Sequence, residues 1–396
     1  MLETLAPQPA DALLNLIKLH SADPRVDKID LGVGVYRTGQ GDTPVFAAIK
    51  QAEAKLLATQ GSKAYLGPEG DMGFVDALKP YIFADTVDPA RIEGMQAPGG
   101  TGGVRLAIDL AKRAGIARVW MGAPSWPNHA QIIAASGLEL KTFAHKTAAG
   151  TADLDALLAA LREADPATDA VLLHGCCHNP TGVDYTPVQW DQIAALFCET
   201  GVLPLLDLAY QGLGHGMEAD AYGVRKVCAA VPEALVAYSC DKNFGMYRDR
   251  VGAFYVMTKD GADLDRAMSN GAAIARASWS MPPDHGAAAV RLVLEDAGMT
   301  RMWLDELDTM RARMRQVRER LAAAGTIKGG IGGPIDMAAV GAQNGLFSML
   351  PLTIDQIMTL RSKHGIYMAG SGRINIAGLT VGNIDAFIAA LHDVAG

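Results

Sequence analysis

The chain has 396 residues, which is more than a single hydrophobic core normally holds, so two lobes are expected. Its composition, 49 % hydrophobic and 20 % charged, is typical of a globular enzyme. A net charge of −8 argues against a nucleic-acid partner, and any acidic substrate must therefore be bound by local arginines.

Two further classes of protein are disfavoured by the distribution of residues. No apolar run reaches the ~18 residues of a membrane span, and the first residues lack the basic-then-apolar order of a signal peptide. The five cysteines are irregularly spaced, which favours reduced thiols in a cytoplasmic protein over a disulfide framework.

Helical and strand patterns alternate along most of the chain. An amphipathic helix is predicted at about 10–20 and a short strand at 28–33. Apolar strands are predicted at 118–121, 138–143, 170–174, 202–206 and 234–238, with helices between them. This order predicts an α/β fold with a mainly parallel sheet covered by helices on both faces, and ligands bind beyond the carboxyl ends of such strands.

The remaining segments predict a helix-rich connection and a smaller α+β lobe. A long helical stretch follows Pro282-Pro283, and Lys328-Gly-Gly-Ile-Gly-Gly-Pro334 is predicted to be a flexible loop or lobe boundary. The predicted domains are 1–44 (N-terminal arm and part of the small domain), 45–310 (large domain) and 311–396 (small domain).

Lys242 is the strongest candidate for covalent chemistry. It follows the apolar strand 234–238, and burial at the mouth of a strand favours a neutral, nucleophilic amine. Arg250, eight residues later, is suited to bidentate phosphate binding. A Schiff-base lysine beside a bound phosphate is the arrangement that pyridoxal phosphate requires.

Several other motifs have a structural alternative. The Gly-rich segment at Gly100-Thr101-Gly102 opens a helix, so it is suited to phosphate, although a plain tight turn is equally compatible. Asp207 at a strand end is an N-cap if taken alone, or the partner of a protonated ring nitrogen. The two His and two Cys of 174–178 alternate between faces, so no metal site is expected.

The ordered set of motifs resembles one known family. The set comprises Gly100-Thr-Gly102, Pro124-Ser-Trp-Pro-Asn-His129, His174-Gly-Cys-Cys-His-Asn-Pro-Thr-Gly182, Asp207-Leu-Ala-Tyr210, Ser239-x-x-Lys242, Arg250 and Ser371-Gly-Arg373. It resembles the class I pyridoxal-phosphate-dependent aminotransferases, in particular the aspartate and aromatic amino acid aminotransferase subgroup. The resemblance covers almost the whole chain and implies a fold type I transferase, with the cofactor in the large domain.

The resemblance implies a role for each matching residue. Lys242 would carry the cofactor as a Schiff base and move the substrate Cα proton, and Asp207, supported by His129, would keep the ring nitrogen protonated. Trp126 would stack on the ring, and Asn179 and Tyr210 would bind its phenolate oxygen. The implied phosphate ligands are Gly100, Thr101, Ser239 and Arg250, with Tyr65 from a partner subunit.

The resemblance also implies the substrate contacts and a homodimer with shared active sites. Arg373 would bind the α-carboxylate close to the Gly34 backbone, Trp126 and Asn179 would also face the substrate, and Arg276 would reach a side-chain carboxylate across the dimer. The expected reaction is ping-pong transamination of an aromatic amino acid or aspartate with 2-oxoglutarate. A lyase or decarboxylase on the same fold, and a non-catalytic cofactor-binding regulatory module, are the alternatives.

Three residues depart from the family pattern. Asp241 stands where a small hydroxyl residue is usual, which places an acid beside the phosphate pocket unless it points away or pairs with Arg248. Met281 and Ala64 stand where Asn is frequent, and both changes weakly favour aromatic side chains.

Overall fold

The structure is a computed structural model that describes residues 2–7 and 12–395, without the side chains of residues 12–14. The strands are β1 (Ile29–Asp30), β2 (Ile92–Pro98), β3 (Arg118–Ala123), β4 (Glu139–Ala144), β5 (Asp169–His174), β6 (Leu203–Leu208), β7 (Ala234–Ser239), β8 (Val251–Met257), β9 (Thr326–Gly330), β10 (Gly333–Asp336), β11 (Phe347–Met349), β12 (Ile366–Tyr367) and β13 (Arg373–Asn375).

The helices alternate with these strands. They are α1 (Ala12–Ala22), α2 (Ala47–Thr59), α3 (Met72–Phe83), α4 (Gly99–Arg113), α5 (Pro127–Ala135), α6 (Leu154–Glu163), α7 (Pro187–Thr200), α8 (Met217–Asp220), α9 (Tyr222–Ala230), α10 (Gly261–Ser278), α11 (Asp284–Glu295), α12 (Ala297–Ala322), α13 (Met337–Ala342), α14 (Ile354–His364) and α15 (Ile384–Ala395). The predicted start of the first helix, at residue 10, lies outside the described residues.

The described chain divides into two compact units. One combines the segment ending at Thr43 with the segment beginning at Arg313, and the other is Pro44–Ala312. We call them the discontinuous unit and the central unit. The functions that the sequence assigns to the corresponding domains remain predictions.

The central unit is built on a seven-stranded sheet in the order β2-β8-β7-β6-β5-β3-β4. Five neighbouring strands, β7, β6, β5, β3 and β4, are parallel, whereas β8 is antiparallel to both β2 and β7. Every residue of β7 and β8 is buried, as expected of strands covered on both faces. The predicted α/β fold with a mainly parallel sheet is confirmed.

The reversal of β8 decides which side chains share an edge of the sheet. The carboxyl ends of β2 and of the five parallel strands lie at one edge, and the antiparallel β8 begins at that same edge. Ser239 at the end of β7 lies opposite Gly252 near the start of β8, and Pro98 at the end of β2 lies opposite Val251. We call this edge the carboxyl edge.

Aromatic packing fixes the segment that follows β7. The Trp303 side chain is fully buried, stacks on Phe244 with ring centroids 4.3 Å apart, and donates its indole N–H to the Asn243 carbonyl at 2.6 Å. A backbone carbonyl in an apolar setting requires such a donor, so α12 anchors the turn that carries Lys242.

The discontinuous unit contains three small two-stranded sheets and its own apolar core. β1 pairs in parallel with β12, and β11 pairs antiparallel with β13. The segment predicted as a loop at 328–334 instead forms most of the antiparallel β9–β10 hairpin. Its glycines, which indicate a break in a sequence, here supply the positive φ angles of a hairpin turn, at +78° for Gly332 and +144° for Gly333.

Candidate active site

Most of the predicted site residues of the central unit lie at its carboxyl edge. Trp126 and His129 follow β3, Asn179 follows β5, Asp207 and Tyr210 lie at the end of β6, and Lys242 follows β7. Gly100 and Thr101 begin α4 directly after β2, and Arg250 directly precedes β8. Residues from six strands therefore meet at one edge of the sheet.

Lys242 lies in a desolvated position near the end of β7. Burial lowers the pKa of its amine, and the nearby carboxylates of Asp241 and Asp207 only partly oppose this shift. Its Nζ lies 5.3 Å from the centre of the Tyr210 ring. The arrangement favours a neutral amine, which is the form that attacks a carbonyl carbon.

Asp207 is a buried carboxylate with one oxygen bound and the other available. Its Oδ2 accepts a hydrogen bond from His129 Nε2 at 2.9 Å, whereas Oδ1 has no hydrogen-bond partner among the described residues. Burial by itself raises the pKa of Asp207, but the His129 hydrogen bond and the nearby basic groups of His129, His174 and Lys242 outweigh burial, so the pKa is lowered. Asp207 is thus held as a carboxylate with a free acceptor.

Ser125 and His174 extend this hydrogen-bonded chain. The Ser125 Oγ lies 3.1 Å from His129 Nδ1 and 3.1 Å from His174 Nε2. Because a carboxylate can only accept, His129 Nε2 donates to Asp207, and the tautomer with its proton on Nε2 can accept the Ser125 hydroxyl at Nδ1. Burial lowers the pKa of His174 to about 3, so this ring is neutral and donates to Ser125.

The sequence did not single out Ser125 or His174 as support for His129. The available signal was the position of Ser125 immediately before Trp126 and of His174 at the end of a buried strand. Two further imidazoles continue the cluster, with His178 and His145 stacked at 3.5 Å between centroids. Burial lowers the pKa of His145 to about 4 and holds the pKa of His178 well below its ordinary value.

Asn179, Tyr210 and Trp126 surround the same edge. The Asn179 Nδ2 lies 3.5 Å from the Tyr210 hydroxyl, and both side chains are buried. The Trp126 ring is half-buried and meets the His129 ring edge-on at 5.0 Å. Two polar groups and one aromatic face therefore border the space near Lys242.

The N-terminus of α4 provides a second feature of the edge. Its N-cap residue is Pro98, whose side chain makes no capping hydrogen bond, and the first N–H groups of a helix have no acceptors within the helix. A Cβ at Gly100 would lie 2.9 Å from the Ser239 Cβ, so only glycine allows this close approach. The amides at the start of α4, Ser239 and Arg250 are groups that could together hold an anion.

Asp241 pairs with the arginine of this anion site. Its Oδ2 accepts a hydrogen bond from Arg250 Nη1, and its Oδ1 accepts one from the Val251 N–H at 3.1 Å. The Asp241 side chain is buried, and burial raises its pKa despite the nearby Lys242 and Arg250. The sequence left open whether the Asp241 side chain points away from the phosphate pocket or pairs with Arg248, and in the structure it pairs with Arg250 instead.

Two predicted site residues of the central unit are exposed. The Tyr65 side chain is 93 % exposed in the loop between α2 and α3. Arg276 is exposed near the end of α10, where its Nη1 donates to the Ser280 hydroxyl. The neighbouring Met281 accepts the Leu66 N–H at its Sδ, 3.1 Å away, which ties the Tyr65 loop to the segment after α10.

Gly34 and Arg373 lie in the discontinuous unit and share one aromatic neighbour. The Arg373 guanidinium lies 4.4 Å from the centre of the Phe347 ring and donates to the Gly32 carbonyl at 3.0 Å. A Cβ at Gly34 would lie 2.7 Å from Phe347 Cζ. Asn375 donates to the Val33 and Val35 carbonyls at 2.6 and 2.8 Å, so it shapes the glycine segment.

The sequence missed Phe347 and Asn375 as parts of this arrangement. Asn375 was detectable because it lies two residues after Arg373 and thus on the same face of a strand. Phe347 had no such signal, because its contact with Arg373 depends on the antiparallel register of β11 and β13, in which Phe347 lies opposite Asn375 and Met349 lies opposite Arg373.

These observations fit the cofactor that the resemblance implies. The Oδ1 atom of Asp207 offers an acceptor for a protonated ring nitrogen, and the desolvated Lys242 offers a nucleophilic amine. The start of α4, which has no side-chain cap, offers amides for an anion.

The described residues contain one group of three potential metal ligands, Cys176, Cys177 and Asp220. Asp220 already accepts three backbone hydrogen bonds from Gly212, Gly214 and His215, which accounts for its burial.

Comparisons with known proteins identify the family. The family described as "Aminotransferase class I and II" matches residues 26–391. The chain is 50 % identical over 380 residues to a tyrosine aminotransferase of Rhizobium meliloti, covering 96 % of each chain. It is 42 % identical over 400 residues to an aspartate aminotransferase of Escherichia coli, covering 99 % of this chain and 100 % of the relative.

A solved structure supports the same assignment. The aromatic-amino-acid aminotransferase of Burkholderia pseudomallei, covalently bound to pyridoxal phosphate, superimposes with a TM-score of 0.93 at 34 % identity, covering 100 % of both chains. No helix among the described residues combines the length and apolar character needed to span a membrane. The chain therefore belongs to the class I and II aminotransferases, and its cofactor is pyridoxal 5′-phosphate.

Proposed function

We propose that this aminotransferase moves the amino group of an aromatic amino acid or of aspartate to 2-oxoglutarate, with a 2-oxo acid and glutamate as products. The observation that carries the proposal is the position of Lys242 and Asp207 at the ends of the adjacent strands β7 and β6. Lys242 is desolvated, and Asp207 accepts a hydrogen bond at Oδ2 while its Oδ1 has no partner among the described residues. The bound cofactor supplies an electron sink for the pair of electrons that the substrate Cα–H bond leaves behind.

Each residue of the carboxyl edge has a role in this proposal. Lys242 binds the cofactor covalently and then carries a proton to and from the substrate Cα, for which a desolvated amine of lowered pKa is suited. Asp207 holds the ring nitrogen in its protonated form, and His129, fixed by Ser125, keeps the carboxylate oriented. Asn179 and Tyr210 bind the phenolate oxygen, and Trp126 covers the ring.

Two sets of residues account for the phosphate and the substrate. The Gly100 and Thr101 amides, Ser239 and Arg250 hold the phosphate. Arg373, oriented by Phe347 and the Gly32 carbonyl, binds the substrate α-carboxylate near Gly34. A guanidinium is suited to this task because it matches a carboxylate in two parallel hydrogen bonds.

We further propose a cytoplasmic homodimer in which each active site receives Tyr65 and Arg276 from the partner subunit. The support is the exposure of both side chains within one chain and the contact that joins their segments through Met281. In this assembly Tyr65 completes the phosphate site and Arg276 binds a side-chain carboxylate.

A single-turnover experiment tests the reaction. Enzyme mixed with excess amino acid and no 2-oxo acid is expected to release about one equivalent of 2-oxo acid per chain and then stop, because the amino group stays on the enzyme. Addition of 2-oxoglutarate is expected to restart product formation with matching glutamate. Continuous release of ammonia or of CO₂ without 2-oxoglutarate would favour a lyase or decarboxylase, and no release at all would favour a non-catalytic binding module.

Arg276→Gln tests the side-chain-carboxylate role. Loss of a bidentate charged pair is expected to lower kcat/KM for aspartate by about 10²-fold more than for phenylalanine. Arg266→Gln, which removes another exposed arginine from α10, serves as the matched control and is expected to leave both values unchanged. Equal losses for aspartate and phenylalanine would contradict the role.

A further inference from the structure

The anion site contains an acid that the site's own chemistry does not require. Arg250 is the guanidinium of that site, and its Nη1 donates to Asp241 Oδ2, whose side chain is buried. A second hydrogen bond, from the Val251 N–H to Asp241 Oδ1 at 3.1 Å, fixes the carboxylate on the side of β8. The buried Asp241 carboxylate is therefore held in place by a backbone N–H as well as by the Arg250 side chain.

The same carboxylate lies against the start of α4. A Cβ built on Gly99 would lie 2.9 Å from Asp241 Oδ2 and 2.5 Å from Arg250 Nη2, so the ion pair is packed on the first residue of the helix. Gly99 has φ +71°, which opens this space for the pair. Asp241 thus places a negative charge within the region where the phosphate of the cofactor must be held.

We propose that Asp241 competes with the cofactor phosphate for Arg250, so that this enzyme binds pyridoxal 5′-phosphate more weakly, and with a stronger pH dependence, than a variant with a neutral residue at this position. The proposal rests on the assignment of Arg250 and the α4 amides to the phosphate. Arg250 can serve two anions only by sharing its donors, and two like charges beside one guanidinium repel each other.

The surroundings of Asp241 define the direction of the pH effect. The basic groups that act on it are the Arg250 guanidinium and the Lys242 amine, both of which favour the carboxylate form, and the buried Cys240 thiol adjoins it. Burial outweighs them and raises the pKa of Asp241. Because the pKa of Asp241 is raised, its carboxylate is protonated at a higher pH than an ordinary aspartate as the pH falls. Protonation removes the negative charge that competes with the phosphate. A bound phosphate dianion favours this protonation.

The test compares ligands with and without a phosphate. Asp241→Asn retains an oxygen that can accept the Val251 N–H but removes the charge, and Asp241→Ser is a second variant in case the amide perturbs the fold. Cofactor-free protein is titrated with pyridoxal 5′-phosphate, with pyridoxal and with inorganic phosphate, using tryptophan fluorescence and competition to obtain Kd. Asp249→Asn, an exposed acid beside Arg250, is the matched control for net charge.

Asp241→Asn is expected to lower Kd for pyridoxal 5′-phosphate by about tenfold, which corresponds to about 1.4 kcal/mol, and to lower Kd for inorganic phosphate in the same direction. Kd for pyridoxal and all values for Asp249→Asn are expected to stay at the wild-type level. The ratio of wild-type to Asp241→Asn Kd values is expected to fall towards one as the pH is lowered.

Two results would overturn the inference: equal Kd values for pyridoxal 5′-phosphate in wild type and both Asp241 variants, or an equal gain for pyridoxal. Neither result affects the proposed function, which instead requires that binding of the cofactor to the wild-type protein be covalent and depend on Lys242. The two proposals therefore fail by different measurements.

Discussion

Replacement of Lys242 by alanine is expected to lower kcat by on the order of 10⁴-fold or more, because it removes both the covalent link to the cofactor and the base that moves the Cα proton. No other lysine among the described residues lies at the ends of β6 and β7. Borohydride reduction followed by peptide mass analysis is expected to attach the cofactor to Lys242 in the wild-type protein and to no residue in Lys242→Ala.

Lys226→Ala is the matched control for this substitution. Lys226 lies on α9 and is half exposed, where it pairs with Asp191 and lies over the Tyr222 ring. Its removal is expected to leave turnover and labelling at the wild-type level. Normal turnover by a correctly folded Lys242→Ala protein would contradict the assignment of the nucleophile.

Asp207→Asn is expected to lower kcat by about 10³-fold. The substitution keeps the shape of the side chain but removes the charge opposite the protonated ring nitrogen, and a charge pair near 4 Å at an effective dielectric constant of about 20 is worth about 4 kcal/mol. The His129 Nε2–H now held by Asp207 Oδ2 at 2.9 Å would face an amide, which also weakens the orientation of the ring. Steady-state rates at saturating cofactor measure the effect.

A second buried aspartate of the same sheet provides the control. Asp169 at the start of β5 lies at the opposite edge, where its carboxylate binds the Trp120 indole at 2.8 Å and the Arg118 guanidinium at 2.7 Å. Asp169→Asn is expected to lower stability and to leave kcat of the folded fraction unchanged. A loss of less than tenfold in Asp207→Asn would show that the charge of Asp207 is not required.

The sequence was sufficient for β3, β5, β6 and β7 because these strands are largely buried and therefore appear as short apolar runs. It also predicted β4, which lies at the edge of the sheet and is mostly exposed or half-buried. It missed β2, whose Glu93 and Gln96 interrupt the apolar pattern, and it also missed β8 and with it the reversed direction of that strand. Strand direction depends on pairing between distant segments, which local composition does not encode. The positions of most candidate residues of the central unit at the carboxyl edge were nevertheless predictable, since they belong to motifs that follow strands.

The contacts between these residues were less predictable. Ser125 joins His129 to His174 only because the ends of β3 and β5 are neighbours in the sheet. The choice of Arg250 over Arg248 as the partner of Asp241 follows from the positive φ of Arg250, +56°, and from the start of β8 one residue later. Both facts belong to the folded backbone and have no counterpart in residue spacing.

The antiparallel direction of β8 also bears on how such a chain can change in length during evolution. Ser239 and Gly252 are paired across β7 and β8, so the segment between them is a closed loop that carries Lys242 and Arg250. An insertion there would separate the two groups, whereas an insertion at the connection from Thr258 to Asp260, at the opposite edge, would leave both in place. Insertions and deletions are therefore expected mainly at the edge opposite the carboxyl edge, and rarely at the carboxyl edge itself.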